Sequence, residues 1–244
     1  MFWKRKPKCP ITEQDRLWIE EKLKWINLNF INLQKQPTFL LNSQYFPVEF
    51  DGTYESAEET LNILCDYFQI SSHRIKFGIY KDDPNEPRSK IIVNRDGGGS
   101  AGLYYQDDNI GNILLEEKEL LNPTSMISTL SHELSHYVIM EEKGYYFQES
   151  ENEILTDLLS IAYGFGLFMG ASRFTFSQWQ SDDGWGGWST STKGYLPSQI
   201  IGYALAELQN YKDDFHPNWL SEVSGSFKKD IVKGLKYIEY NRQI

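Results

Sequence analysis

The chain has 244 residues, of which 40% are hydrophobic and 24% charged, a composition typical of a globular protein with one core. The formal net charge of -10 disfavours contact with phosphate backbones, so we expect no nucleic-acid partner. No apolar run reaches the roughly 18 residues of a membrane span, and no apolar segment follows the basic N-terminus. We therefore expect no membrane contact and a cytoplasmic location, in which Cys9 and Cys65 are free thiols.

The predicted elements follow the order helices, strands, helices, which indicates an α+β fold. Helical spacing of apolar residues predicts the first two helices, and alternating or short apolar runs predict the strands. The predicted helices are 13–33, 56–68, 123–142, 150–170, 197–211 and 217–240, and the predicted strands are 74–80, 91–93, 103–106 and 112–116. We expect one domain, 1–244, with an N-terminal helical part (1–70), a small mixed sheet (71–120) and a second helical part (121–244).

The predicted helix 123–142 begins with Asn122 as a cap and Pro123 in its first turn, and it carries a metal-binding pattern. His132 and His136 are one helical turn apart, so both imidazoles lie on one face and can ligate one zinc ion. Glu133 is adjacent and can act as the general base toward a water molecule on the metal.

A catalytic zinc ion needs a third protein ligand, and the sequence after the motif favours a carboxylate. Gly144 lacks the spacing of motifs that supply a third histidine, and no histidine follows before His216. Glu153 and Asp157 lie one turn apart on the next predicted helix. One carboxylate can ligate the metal while the other accepts a hydrogen bond from a ligating histidine.

A structural role for Glu153 is the alternative. Ser150 and Glu153 have the spacing of a capping box, in which the glutamate would bond the backbone at the start of the helix. Asp157, Glu151 and Glu149 are then the remaining candidates for the third ligand.

The pattern H-E-x-x-H followed by E-x-x-x-D, here within Asn152-Glu153-Ile154-Leu155-Thr156-Asp157, resembles that of the gluzincins, the thermolysin-like zinc peptidases. The resemblance implies a zincin-like fold, zinc on His132, His136 and Glu153, Glu133 as general base, and Asp157 supporting a ligand. It also implies that a sheet-edge strand ahead of the motif helix pairs with substrate, and 112–116 is the candidate. Before Leu121 no family feature is recognised.

Peptide hydrolysis also requires a donor for the developing oxyanion. Four residues after the predicted ligand helix are candidates, and the sequence does not choose among them: Arg173, Tyr195, Tyr203 and His216. The tryptophan-rich loop 174–194 is either a substrate lid or recognition platform, or a packed surface loop.

These patterns lead to a zinc-dependent peptidase that acts on a peptide or an exposed protein segment. The second hypothesis is a zincin-fold binding or regulatory protein that holds metal with little or no turnover. The third is a helical domain with a chance motif.

Overall fold

The computed structural model describes residues 6–81, 101–108, 110–178 and 195–242, and leaves out the side chains of 149–150 and 173–178. Within these ranges helices precede and follow a small mixed sheet, which confirms the α+β expectation. The elements are α1 (Glu13–Asn29), α2 (Tyr54–Phe68), β1 (Ile75–Tyr80), β2 (Gly102–Asp107), β3 (Ile110–Glu116), α3 (Pro123–Tyr137), α4 (Glu149–Ser160), α5 (Gly166–Gln178), α6 (Ser198–Leu208) and α7 (Gly225–Arg242).

The sheet has the strand order β1-β3-β2, with β1 parallel and β2 antiparallel to β3. The predicted strand 112–116 belongs to β3, so the expectation that it forms a sheet edge is wrong. Both edges of β3 are already hydrogen-bonded, one to β1 and the other to β2. Among the described residues, the edge strand that lies against α3 is β2. The predicted strand 91–93 lies outside the described residues.

Alternate residues of β2 face α3, as expected for a strand whose side chains point to opposite faces in turn. A Cβ atom at Gly102 would lie against Glu133, the ring of Tyr104 is parallel to that of His136, and the Gln106 amide donates to Glu141. The strand and the helix therefore run side by side in the same direction, with the start of β2 above the middle of α3.

Helix α3 begins where the sequence predicts. The Oδ1 atom of Asn122 accepts a hydrogen bond from the Ser125 backbone N–H at 3.1 Å, and Pro123 occupies the first turn. The helix continues as a π-helical turn, Val138–Glu142, which matches the predicted end near residue 142.

Small hydroxyl side chains lie where α3 meets α4. Ser131, Ser135 and Ser160 have no exposed surface, and the Ser160 hydroxyl donates to that of Ser131 at 2.9 Å. The Ser135 hydroxyl donates to the Ser131 carbonyl at 2.8 Å, so these polar groups are satisfied locally. Short side chains with satisfied hydroxyls let the two helices approach closely.

Three glycines that follow α4 pack against other elements instead of α3. A Cβ at Gly164 would clash with the Pro37 carbonyl, one at Gly166 would meet α6, and one at Gly170 would meet α7. Gly164 has φ +106° inside a π-helical turn, Ile161–Phe165, which connects α4 to α5. Its carbonyl accepts the Phe39 N–H at 3.0 Å, so the segment before α2 packs on this kink.

The last predicted helix, 217–240, is two elements. A 3-10 segment, Asn218–Glu222, comes first, and the chain then passes through Gly225 at φ +68° into α7. The left-handed conformation at Gly225 interrupts the apolar periodicity that predicts one helix.

The stretch Glu151–Ser172 is long and apolar enough to cross a membrane, although 89% of its most apolar window is buried within the protein. Buried rings pack beside it, with Phe165 stacked 4.8 Å from Phe39 and 5.5 Å from Phe68. The stretch therefore packs as a core helix, and it carries acidic residues of the site described next. Cys9 and Cys65 are free, as expected.

Candidate metal centre

Two histidines of α3 and one glutamate of α4 converge. One ligand atom from each of His132, His136 and Glu153 lies within 4.8 Å of the other two. The three residues are 4%, 2% and 7% exposed, respectively. Helical spacing brings the imidazoles to one face of α3, and the close packing of α3 on α4 brings the carboxylate opposite them. This cluster could hold a metal ion.

His132 is held from both ring nitrogens. Its Nδ1 lies 2.7 Å from Oδ1 of Asp157, and its Nε2 lies 3.2 Å from Oε2 of Glu153. The second oxygen of Asp157 accepts the Leu196 backbone N–H at 2.8 Å. Because an ionised carboxylate only accepts, Nδ1 carries a proton, and the ring is oriented with Nε2 toward Glu153.

His136 is supported by neutral groups. Its Nδ1 lies 3.2 Å from Oγ1 of Thr156 and 3.2 Å from the side-chain amide of Asn152. The Thr156 hydroxyl donates to the Asn152 carbonyl at 2.7 Å, so its oxygen is available to accept a proton from Nδ1. The Asn152 amide nitrogen only donates, so its contact requires the lone pair on Nδ1 instead. A metal ion bound through Nε2 would select the first tautomer, with the proton on Nδ1 directed to Thr156.

Sequence reasoning missed both supports of His136. Asn152 and Thr156 each precede an acidic residue of the site by one position, and one residue turns a helix by about 100°. Asn152 and Thr156 therefore point toward His136, whereas Asp157 points toward His132. The usable signal is that two polar residues, one turn apart, each directly precede a carboxylate in the predicted helix.

The charges of the cluster favour a bound cation. Burial lowers the pKa of His132, but hydrogen bonds with Asp157 and Glu153 outweigh burial and raise this pKa to about 10. Burial raises the pKa of Glu153, yet contacts with His132 and His136 bring it well below its ordinary value. Two buried carboxylates therefore demand positive charge, which a proton on His132 or a divalent metal can supply.

The surroundings of Nε2 of His136 show whether the residues of the cluster fit a metal ion. Nε2 of His136 is buried and has no hydrogen bond among the described residues, although it lies 3.4 Å from Oε1 of Glu153. A buried polar nitrogen without a hydrogen bond is costly, and a metal ion would satisfy it. Two imidazole nitrogens and one carboxylate oxygen are a donor set for transition metals.

Glu133 lies on the same helix, beside the ligand residues. It is 2% exposed, and its carboxylate lies under the backbone of Gly102 in β2. The acidic group is thus held between the motif helix and the edge strand.

Tyr195 is the oxyanion candidate that the structure brings to the cluster. Its ring centroid lies 5.3 Å from that of His132, in an edge-to-face arrangement. The next residue, Leu196, is the one whose N–H binds Asp157. The segment entering α6 is therefore attached to the cluster at two consecutive residues.

Two other oxyanion candidates lie elsewhere. The Tyr203 hydroxyl donates to Glu20 of α1 at 3.0 Å, and the His216 side chain is 77% exposed, 3.9 Å from Glu239. The side chain of Arg173 lies outside the described side chains. The prediction of a loop at 174–194 is wrong for 174–178, which continue α5, and 179–194 lie outside the described residues.

The capping-box alternative for Glu153 does not fit the start of α4. The N-cap residue is Gln148, so Ser150 is inside the helix. Of the other candidates for the third ligand, Glu151 pairs with a lysine of α1 at 3.3 Å, and the Glu149 side chain lies outside the description. Asp157 contacts His132 through Nδ1, the nitrogen that faces away from Glu153.

No protein-family model matches the chain, and neither does any curated protein or solved structure. What this chain can do must therefore be inferred from the geometry of the site itself. That geometry establishes a buried cluster of His132, His136 and Glu153 that could hold a metal ion.

Proposed function

We propose that this protein is a zinc-dependent peptidase. The observation that carries the proposal is the convergence of His132, His136 and Glu153, with Glu133 next to them on the same helix. Two imidazoles and one carboxylate from protein, with a fourth position open, are the ligand set of catalytic zinc in peptidases.

The residues of the cluster would hold the metal in a fixed orientation. Asp157 and Thr156 accept hydrogen bonds from the Nδ1 atoms of His132 and His136, which turns both Nε2 atoms toward Glu153. When bound, zinc would polarise the substrate carbonyl and lower the pKa of the attacking water.

Glu133 would be the general base and then the general acid. Its carboxylate would accept the proton of the attacking water as the new C–O bond forms. The same carboxyl would then donate that proton to the nitrogen of the leaving amine as the C–N bond breaks. Its burial, at 2% exposure, keeps it beside the ligands.

Strand β2 takes the substrate-pairing role that the sequence suggested for 112–116. Its only strand partner among the described residues is β3, and its even-numbered residues face the motif helix. An extended peptide could add to this edge by backbone hydrogen bonds and so pass over Glu133. Tyr195, whose ring contacts that of His132, is the proposed donor to the developing oxyanion.

One observation favours a second candidate, a protein that holds metal with little or no turnover. No ligand residue of the cluster is more than 7% exposed. A substrate carbonyl must reach the open metal position, and such burial is also typical of a site that only holds its ion.

Metal content and hydrolysis distinguish the candidates. We expect about one zinc ion per chain in wild type and in Glu133→Gln, and loss of zinc in Glu153→Ala, measured by elemental analysis. With unfolded casein as substrate, Glu133→Gln should reduce hydrolysis by about 10²–10⁴-fold. Glu142→Gln, on the π-helical turn after α3, is the matched control and should keep both zinc and activity.

Wild type that stays free of zinc when zinc is supplied would rule out both candidates. If zinc is held but Glu133→Gln and wild type behave alike toward casein and a peptide library, the holding protein is favoured.

A further inference from the structure

Gly102, the first residue of β2, lies directly over Glu133. A Cβ atom placed on it would be 2.9 Å from Oε1 and 3.1 Å from Cγ of Glu133, and 2.5 Å from Cγ2 of Thr129. Contacts between non-bonded heavy atoms are favourable only at about 3.5–4.0 Å. Any side chain at position 102 must therefore displace either the side chains of Glu133 and Thr129 or the strand.

The strand is the less movable of the two. Gly102 is in register with Leu115 of β3, and the adjacent Ala101 carbonyl accepts the Glu116 N–H at 2.9 Å. Leu115 has no exposed surface, so β3 is fixed in the core. Moving β2 would break the backbone hydrogen bonds of the ladder, whereas the Glu133 carboxylate can move by rotation of its side-chain bonds.

We propose that Gly102 is a positioning residue for Glu133: the missing side chain lets the edge strand lie on the carboxylate and fixes where that carboxylate points. Its effect on turnover rests on the proposed peptidase function. Its effect on the position of Glu133 does not, because that position is measurable in a protein without activity.

A second strand glycine provides a matched control. A Cβ at Gly78 of β1 would lie 2.8 Å from Cδ2 of Leu114, the far end of a flexible side chain. Gly78→Ala therefore introduces the same methyl group and a comparable contact into the same sheet, without touching Glu133.

The test compares wild type, Gly102→Ala, Gly102→Ala/Thr129→Ser and Gly78→Ala. Thr129→Ser removes the methyl group nearest the new Cβ and keeps the hydroxyl, so the double variant retains the clash with Glu133 but not that with Thr129. Crystal structures report the position of the Glu133 carboxylate, elemental analysis reports zinc per chain, and casein hydrolysis reports kcat and KM.

We expect both Gly102 variants to keep the zinc content of wild type while the Glu133 carboxylate moves by about 1 Å. A displacement of that size should lower kcat by about 10²-fold. KM should stay within about threefold, because the backbone edge that would pair with substrate is unchanged. Gly78→Ala should keep the kcat of wild type.

The proposal is overturned if β2 moves while Glu133 stays, or if kcat of Gly102→Ala equals that of wild type. It is also overturned if the double variant loses zinc, or if neither Gly102 variant folds while Gly78→Ala does. If wild type and Glu133→Gln hydrolyse casein alike, the peptidase function fails, and the crystal structures still decide whether Gly102 positions Glu133.

Discussion

Glu153 and Glu207, two buried carboxylates in the described part of the chain, have pKa values that shift in opposite directions. In the metal cluster, defined as His132, His136, Glu153 and Asp157, the pKa of Glu153 is lowered by its imidazole neighbours. In the α1–α6 acidic pair, Glu20 and Glu207, burial raises the pKa of Glu207 to about 7. Glu207 is 8% exposed and Glu153 7%, so the degree of burial does not explain the difference.

The groups around each carboxylate explain why the two pKa values shift in opposite directions. Glu207 accepts a hydrogen bond from Asn210 at 2.8 Å, and Glu20 adds to its pKa by charge repulsion. Nη1 of Arg16 lies 2.9 Å from each carboxylate oxygen of Glu20. The guanidinium cannot give up its proton or offer a lone pair to a metal ion. Imidazole can do both, so the histidines of the metal cluster can give up a proton and bind a metal ion, which Arg16 cannot. Burial of carboxylates alone therefore does not make a metal site.

Neutralising one glutamate in each group tests this distinction most strongly. Glu153→Gln should lower zinc affinity by more than the roughly 10–100-fold that loss of a supporting residue costs, because it removes a ligand. Glu207→Gln should leave zinc binding unchanged. Competition with a chromophoric chelator measures both affinities. Equal zinc affinity in the two variants would contradict the assignment of Glu153.

Within the metal cluster, Asp157 should matter more than the neutral supports. Asp157→Asn removes the negative charge opposite His132. It also replaces one carboxylate oxygen with an NH2 group, so either His132 Nδ1 or the Leu196 N–H loses its acceptor. We expect zinc affinity to fall by about 10–100-fold, measured by the same competition. An unchanged affinity would mean that the His132–Asp157 hydrogen bond does not orient the ligand.

Glu207 of the acidic pair should affect how the free energy of unfolding depends on pH, and it should not affect metal binding. The folded pKa of Glu207, about 7, exceeds its ordinary value of 4.5, so the folded protein holds this proton more tightly. Its stabilising contribution is full below about pH 4.5 and is lost as pH rises through 7. Lys24 and Arg16 lower this pKa, and Glu20 raises it.

We therefore expect the free energy of unfolding to fall less between pH 5.5 and 8 in Glu207→Gln than in wild type. The difference should be about 2 kcal/mol. Urea denaturation at the two pH values measures it, with Glu59→Gln on the exposed side of α2 as control. A variant with the same pH dependence as wild type would contradict the raised pKa of Glu207.

The smallest effect is expected at Thr156. Thr156→Val removes the hydroxyl that accepts from Nδ1 of His136 and keeps the side-chain shape, while the Asn152 amide remains at 3.2 Å from the same nitrogen. Zinc affinity should fall by less than about tenfold, below the range expected for supports of metal ligands, because the Asn152 side chain can turn its amide oxygen toward Nδ1 and accept the proton instead. A loss as large as that of Asp157→Asn would show that neutral and charged supports are equivalent here.

Much of the site was predictable because its signals are local. Asn122 and Pro123 fix the start of α3, and the spacing of His132 and His136 fixes their common face whatever surrounds the helix. Glu153 and Asp157 were also predictable as a pair one turn apart, and the structure places both beside His132.

Strand order and helix contacts were not predictable in the same way. The apolar pattern of 112–116 predicts a strand, but an edge strand and a central strand differ in their neighbours and not in their own sequence. Likewise, the roles of Asn152 and Thr156 depend on how α4 lies against α3, which no periodicity within α4 specifies.

The chemical groups and their spacing along each helix follow from the sequence alone, because helical geometry repeats every few residues. Which groups meet depends on how the elements pack: the serines bring α3 close to α4, the glycine of β2 lies over Glu133, and Tyr195 lies beside His132. These contacts join residues distant in sequence. Their distances follow from the packing of whole elements, which local patterns do not encode.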